Sequence, residues 1–311
     1  MISKLANSIS PFYVMEVLER AQELQKQGTD IIHLEIGEPD HNTDDKICKE
    51  AIKSINAGDT KYTHSLGISD LREQICSYYK KKYGVSISAE NIIVTNGSSP
   101  ALFLAFCSVL NPGDEIILTD PHYACYPQII KIAAGVPKFV KIYEKEEFQI
   151  DIKRLKKKIS KKTRAILINS PSNPTGMLVN SDIMHQLSEL GIPIISDEIY
   201  HGLVYEGREQ SMLEYTKDAI VVSGFSKLYS MTGWRLGYLI VPDQYVRPIQ
   251  KLQQNLFISA NSFVQRAGIE ALKMNDSQIN KIVNKYKKRR DAMLTGLKSL
   301  GFEIKRVPDG A

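Results

Sequence analysis

The sequence predicts an α/β fold in which a mostly parallel, seven-stranded sheet lies between helices. Two observations predict it. Seven short apolar runs, rich in β-branched residues and too short for buried helices, recur between residues 92 and 241, and segments with helical apolar spacing fall between them. Near-continuous apolar strands belong to sheets covered on both faces, and strand–helix alternation supplies the crossovers that parallel pairing needs. The composition, 43% hydrophobic and 24% charged over 311 residues, is that of an ordinary globular chain of one large or two unequal domains.

The elements follow in order. Residues 12–26 (FYVMEVLERAQELQK) form an amphipathic helix stopped by Gly28, and Ile68, Leu71, Ile75 and Tyr79 mark a second helix. The strands are 92–95, 116–119, 139–142, 165–169, 194–196, 220–223 and 236–241. After the first strand, Asn96-Gly97-Ser98-Ser99-Pro100 opens an apolar helix, with Pro100 suited to its first turn. Ile152, Leu155 and Ile159, then Ile183, Leu187 and Leu190, mark two more helices. Residues 277–300 read as a long basic helix ended by Gly301, and residues 302–304 as the start of a strand with no later partner, an exposed edge that would promote association.

Several classes of protein are excluded or disfavoured. No run of 18 apolar residues exists, and the N-terminus lacks a secretory apolar core, so the expected location is cytoplasmic, with no membrane partner. Cys48, Cys76, Cys107 and Cys125 form no CxxC and no zinc spacing; they read as reduced thiols, and no metal site is expected. The net charge of +5 is mild. Its basic runs, at 80–82, 156–158, 161–162 and 287–290, are scattered along helical patterns and read as solvated faces, not a nucleic-acid surface.

Ligands of such sheets bind beyond the carboxyl ends of the strands, so the loops that follow strands hold the candidate chemistry. Ser223–Arg235 contains Ser226-Lys227, then the only Trp and Arg235. Apolar and aromatic neighbours suit a Lys227 amine kept neutral by desolvation. Asp197, in Asp197-Glu198-Ile199-Tyr200, closes a buried strand and needs a partner or serves as a helix cap. Asn169-Ser170-Pro171-Ser172-Asn173-Pro174-Thr175-Gly176 is a stiff turn that can aim Asn173. Ser98 and Ser99, with free amides at a helix start, suit an anion. A phosphate, a pyridine nitrogen and an aldehyde on one electron-sink cofactor would use all four loops.

These residues resemble the class I/II aminotransferases of the fold-type-I pyridoxal 5'-phosphate (PLP) enzymes, and within them the prokaryotic-type aspartate aminotransferase branch. The resemblance runs from about residue 10 to 311. It is carried by Leu34-Glu35-Ile36-Gly37-Glu38-Pro39-Asp40, Lys61-Tyr62-Thr63 with Gly67 and Leu71-Arg72, Asn173-Pro174-Thr175-Gly176, Asp197-Glu198-Ile199-Tyr200, and Ser226-Lys227 with Met231-Thr232-Gly233-Trp234-Arg235-Leu236-Gly237-Tyr238. It implies that Lys227 links to the cofactor aldehyde and shuttles the proton, and that Asp197 holds the pyridine nitrogen protonated. Asn173 and Tyr200 would bond the ring 3-oxygen, Tyr123 would stack on the ring, and Ser98, Ser99, Ser226 and Arg235 would bind the phosphate. Tyr62 would reach the phosphate site of a second subunit, which implies a homodimer. Gly37, with Tyr123 and Asn173, would meet the substrate, an amino acid or a 2-oxo acid such as 2-oxoglutarate.

Two departures stand out. Gly224 occupies a position, three before the lysine, where many relatives carry a phosphate-binding serine; Ser226 can partly replace it. The family also continues past Pro-x-Gly-Ala into a segment carrying the arginine that binds the substrate α-carboxylate. The resemblance therefore divides the chain into an N-terminal arm with part of a small domain (1–40), a large cofactor domain (41–276) and the start of an incomplete, truncated small α/β domain (277–311). The leading reading is a PLP-dependent transaminase. The alternatives are a catalytically impaired PLP-binding protein or fragment and another fold-type-I enzyme such as a lyase.

Overall fold

Seven strands join in one sheet in the computed structural model, which describes residues 1–311. The strands are β1 (Ile92–Thr95), β2 (Glu115–Asp120), β3 (Val136–Lys141), β4 (Thr163–Asn169), β5 (Ile194–Asp197), β6 (Ile220–Gly224) and β7 (Gly237–Ile240). Eleven helices surround them: α1 (Lys4–Ser8), α2 (Tyr13–Lys26), α3 (Asp45–Asn56), α4 (Ser69–Tyr83), α5 (Ser98–Val109), α6 (Tyr126–Ile132), α7 (Ile152–Lys156), α8 (Ser181–Ser188), α9 (Asp243–Leu256), α10 (Ser262–Leu272) and α11 (Asp276–Ser299). No helix is long and apolar enough to cross a membrane.

The strand order is β1-β7-β6-β5-β4-β2-β3, with β7 antiparallel to both neighbours and the remaining pairs parallel. The pleat sends alternate side chains to opposite faces. Ile92 and Val94 of β1, Val221 of β6 and Tyr238 and Ile240 of β7 pack into a core with Leu71, Ile75 and Tyr79 of α4. Their neighbours Ile93, Ile220, Val222 and Leu239 pack into the opposite core with Leu104 and Phe106 of α5. A third core joins β4 and β5 to Leu155 of α7 and Leu187 of α8. Both faces are dry, which is why the strands read as unbroken apolar runs.

This topology sets the carboxyl ends of β1, β4, β5 and β6 on one edge, and β7, running the other way, begins there at Gly237. The long basic helix is α11, and its basic residues are tied down more than solvated faces would be. Arg289 grips Asp40 with bonds of 2.6 and 2.9 Å, and Arg290 and Lys287 lie 3.1 and 2.8 Å from Glu206.

The strand expected at 302–304 is absent. Phe302 is exposed, and the chain turns back over loops instead of meeting an open sheet edge. The amides of Asp309 and Gly310 donate to Gly176 O, each at 2.9 Å, and Asp309 O accepts from Tyr205 N at 2.7 Å. The only sheet-like pairing is the single bridge between Val204 and Gly310. Residues 302–304 thus add no strand edge: Phe302 N closes on Leu297 O, and the amides of Asp309 and Gly310 are spent on the turn holding Asn173.

Candidate active site

Three strand ends lie side by side at the centre of the edge, with Asn169 of β4 beside Asp197 of β5 and Asp197 beside Val222 of β6. Asn169 ties two of the loops: its Nδ2 donates to Asp197 O at 2.9 Å, and its Oδ1 accepts from Asn173 N at 2.7 Å. That bond fixes the turn that the proline spacing predicts, and Asn173 Nδ2 then donates to the Tyr200 hydroxyl at 3.2 Å.

Asp197 is 3% exposed. Its Oδ2 accepts from the Tyr126 hydroxyl at 2.7 Å and its Oδ1 from Ile199 N at 3.1 Å, so the carboxylate caps the following turn, near enough to Lys227 to feel its charge. Burial pushes its pKa up to about 6 even though both donors pull it down.

Lys227 is half-buried, and its Nζ donates to Gly37 O at 2.6 Å and lies 5.8 Å from the centre of the Tyr200 ring. Burial and the Arg235 charge pull its pKa down, while the carboxylates of Glu38 and Asp197 oppose that pull. The surroundings are more polar than the sequence suggests: the adjacent Phe225 and Leu228 turn into the core, leaving the amine at the Gly37 carbonyl, beside the Tyr200 ring and in the field of Glu38, Arg235 and Asp197.

At the other end of the rim, α5 begins with Gly97 as its cap, at φ +104 and with no side-chain cap bond, so the amides of its first turn are free. A Cβ on Gly97 would lie 2.5 Å from Arg235 Nη2, and one on Gly237 would lie 2.6 Å from the carbonyl carbon of Gly97 and 2.7 Å from Ser98 N. Only two glycines allow β7 and the guanidinium to close on the helix start. Arg235 itself has φ +56, in the left-handed region, and its exposed guanidinium donates to Thr232 O at 3.0 Å. Ser98 is half-buried, Ser99 exposed and Ser226 buried. Asn96 Oδ1 is buried without a partner. Gly224 also has a steric reason: a Cβ there would lie 2.9 Å from Leu236 O, so the serine of many relatives would need the backbone to shift.

Tyr123 is half-buried and meets Tyr126 edge-on at 5.2 Å and Phe12 at 6.0 Å. Gly37, Asn173, Tyr200 and Lys227 share a cavity of ≈ 370 Å³ with Glu38 and Tyr286. Asp197, Tyr123 and the set of Ser98, Ser99, Ser226 and Arg235 do not line it; neither does Tyr62, which is 81% exposed. Sequence reasoning gave no role to Tyr126, Glu38, Tyr286, Gly97 or Gly237, although Glu38, Gly97 and Gly237 stand within the motifs quoted above. Tyr126 had a local signal, since three residues place it one turn beyond Tyr123. Tyr286 had none, because only tertiary packing brings α11 to the cavity.

A helix start with free amides, two glycines forming a cradle and an arginine over it suit a phosphate. A buried carboxylate suits a ring nitrogen that carries a proton, and a desolvated amine suits an aldehyde. The fold and this set of donors define a PLP enzyme of fold type I. The family model of aminotransferase class I and II matches residues 29–310. The (5-formylfuran-3-yl)methyl phosphate transaminase of Methanocaldococcus jannaschii is 44% identical over the whole chain and 83% of its own length. The aspartate aminotransferase of Sulfolobus acidocaldarius is 38% identical over 98% of the chain and 78% of its own length. The solved aspartate aminotransferase of Thermus thermophilus with maleate superposes with a TM-score of 0.96 at 33% identity, covering 100% of this chain and 83% of that one. The chain belongs to the class I and II aminotransferases, and is a PLP-dependent transaminase.

Proposed function

We propose that the chain moves an amino group from an amino acid to a 2-oxo acid, with 2-oxoglutarate as the acceptor, at the site where Lys227, Asp197, Asn173 and Tyr200 converge. PLP, when bound, supplies a ring that takes up the electron pair left as the substrate α-carbon loses its proton. Lys227 Nζ binds the cofactor and moves that proton, and its lowered pKa favours the neutral amine this work needs. Asp197 holds a proton on the ring nitrogen, as a buried anion does for a cation it faces. Asn173 and Tyr200 orient the 3-oxygen, Tyr123 covers the ring face, and Ser98, Ser99, Ser226 and Arg235 hold the phosphate. Gly37, beside Lys227 Nζ, receives the substrate carboxylate, with Tyr123 and Asn173 lining the approach.

Tyr62 completes a second subunit's phosphate site in a homodimer, a role that its exposed ring supports. The protein works in the cytoplasm. Residues 1–40 form an arm with part of a small domain, 41–276 the cofactor domain and 277–311 the start of the small domain. A second reading, an aldehyde acceptor bearing a phosphate, is favoured by the name of the relative that is 44% identical.

The observation that carries the proposal is the 2.6 Å bond that holds Lys227 Nζ at Gly37 O, in the field of the Asp197 carboxylate. Borohydride reduction of the protein with PLP, followed by peptide mapping, tests it. The adduct should sit on Lys227 and vanish in Lys227→Ala; an adduct on any other lysine ends the assignment. A panel of amino donors and acceptors, followed by cofactor absorbance, then separates 2-oxo acids from phosphorylated aldehydes.

A further inference from the structure

We propose that Tyr126 is a positioning residue for Asp197, and that its phenol fixes carboxylate oxygen Oδ2 and sets how firmly Asp197 holds its charge toward the cofactor ring. The inference rests on the reading of Asp197 given above. Tyr126 opens α6, is 3% exposed and is followed by Pro127, which suits the first turn of a helix. Its hydroxyl reaches Asp197 Oδ2 at 2.7 Å across 71 residues of sequence. The other oxygen has only Ile199 N. Each oxygen thus has one donor in a site from which water is nearly excluded, where the loss of a donor is felt in full.

The charged and titratable groups around Asp197 are few. Tyr123 and Tyr126 approach from the α6 segment, Lys227 from beyond β6, and Glu198 and Tyr200 from its own stretch of chain. Asn169 of β4 bonds only the Asp197 backbone carbonyl. Among these side chains only Tyr126 touches the carboxylate. Burial pushes the phenol well above its ordinary pKa, so it stays a donor wherever the enzyme is folded. Tyr126 also braces Tyr123 edge-on at 5.2 Å, so the loop entering α6 and its first residue carry the ring cover and the carboxylate's donor.

The test uses two isosteric changes, Tyr126→Phe and 3-fluorotyrosine in place of Tyr126, whose more acidic phenol is a stronger donor. The first readout is the carboxyl stretch of Asp197 in cofactor-free protein, titrated by difference infrared and identified by its loss in Asp197→Asn. Tyr126→Phe should raise the Asp197 pKa by about one unit, a tenfold change. The fluorinated residue should lower it. The opposite signs separate hydrogen bonding from packing, and the fluorinated protein carries the test if the Phe variant does not fold. The second readout is the affinity ratio between PLP and an analogue with CH in place of the ring nitrogen. Tyr126→Phe should reduce that ratio about tenfold. An unchanged Asp197 titration, or an equal loss for both cofactors, overturns the role of Tyr126. If instead Asp197→Asn leaves the ratio unchanged, the placement of Asp197 opposite the ring nitrogen fails, while the infrared titration still decides on Tyr126.

Discussion

The inner end of the site, around Asp197, and the outer end, around Arg235, are built by opposite means. The inner end is a buried side chain whose oxygens are each held by a donor, at 2.7 and 3.1 Å. The outer end is mostly backbone: free amides of α5, two glycines that permit close approach, and an exposed guanidinium. Charge is expensive and persistent in the first and screened by solvent in the second. The inner end therefore governs the chemistry, and the outer end governs cofactor retention. Each substitution below should fall on its own side of that line.

The largest effect belongs to Asp197→Ala. Removing one partner of a buried pair costs about 3–5 kcal/mol, and about 1.36 kcal/mol is tenfold in rate. The single-turnover rate of amine transfer should fall about a hundredfold to several thousandfold at saturating PLP, while the Lys227 adduct still forms. A near-normal rate would remove Asp197 from the chemistry.

Asp197→Asn tests the cost of the same charge without cofactor. Because burial raises the folded pKa to about 6, above the ordinary value of about 3.9, this carboxyl stabilises the fold at low pH. That contribution is fully present below about pH 4 and is lost as pH rises through about 6. The cofactor-free Asn variant should thus be the more stable protein at pH 8, by up to about 3 kcal/mol, and the gap should close near pH 4. Urea unfolding at both pH values measures it. Adding PLP should reverse the order, because only the carboxylate pairs with the ring nitrogen.

Gly237→Ala carries the comparison to the outer end. Its new methyl would press on Gly97 and Ser98 backbone, which cannot rotate away. Overpacking of this kind costs about 1–3 kcal/mol. Melting temperature should fall, and protection by inorganic phosphate should be lost with it. A melt unchanged in both respects would mean that the α5–β7 contact is looser than the structure shows.

How much of this was legible in the sequence follows the same division. Ile92, Ile93 and Val94 announce a strand buried on both faces, and the pleat then forces their side chains into separate cores. Asp197 and Asn173 were legible because strand ends and X-Pro turns are local signals. Tyr126 as a partner of Asp197 was not, since that bond spans 71 residues and only the β2–β4–β5 order brings its ends together. Residues 302–304 misled for the same reason. Phe302 and Ile304 alternate as a strand does, but a strand needs a neighbour, and the tail found Gly176 and Tyr205 instead.

The smallest effect should come from Arg235→Lys. The charge survives, so long-range attraction for a phosphate is kept, and only the planar fork is lost. Arg235 is exposed, with one nitrogen already given to Thr232 O at 3.0 Å, so even the wild-type contact is partly screened. Its unusual φ of +56 aims the guanidinium over Gly97, and lysine would have to hold the same strained backbone for a weaker return. The dissociation constant of PLP should rise about threefold at low salt, and the difference should shrink as salt approaches ~1 M, where screening acts over about 3 Å. The rate at saturating PLP should not change. A variant that lost rate instead of affinity would place Arg235 with Asp197, in the chemistry, and the division between the two ends would fail.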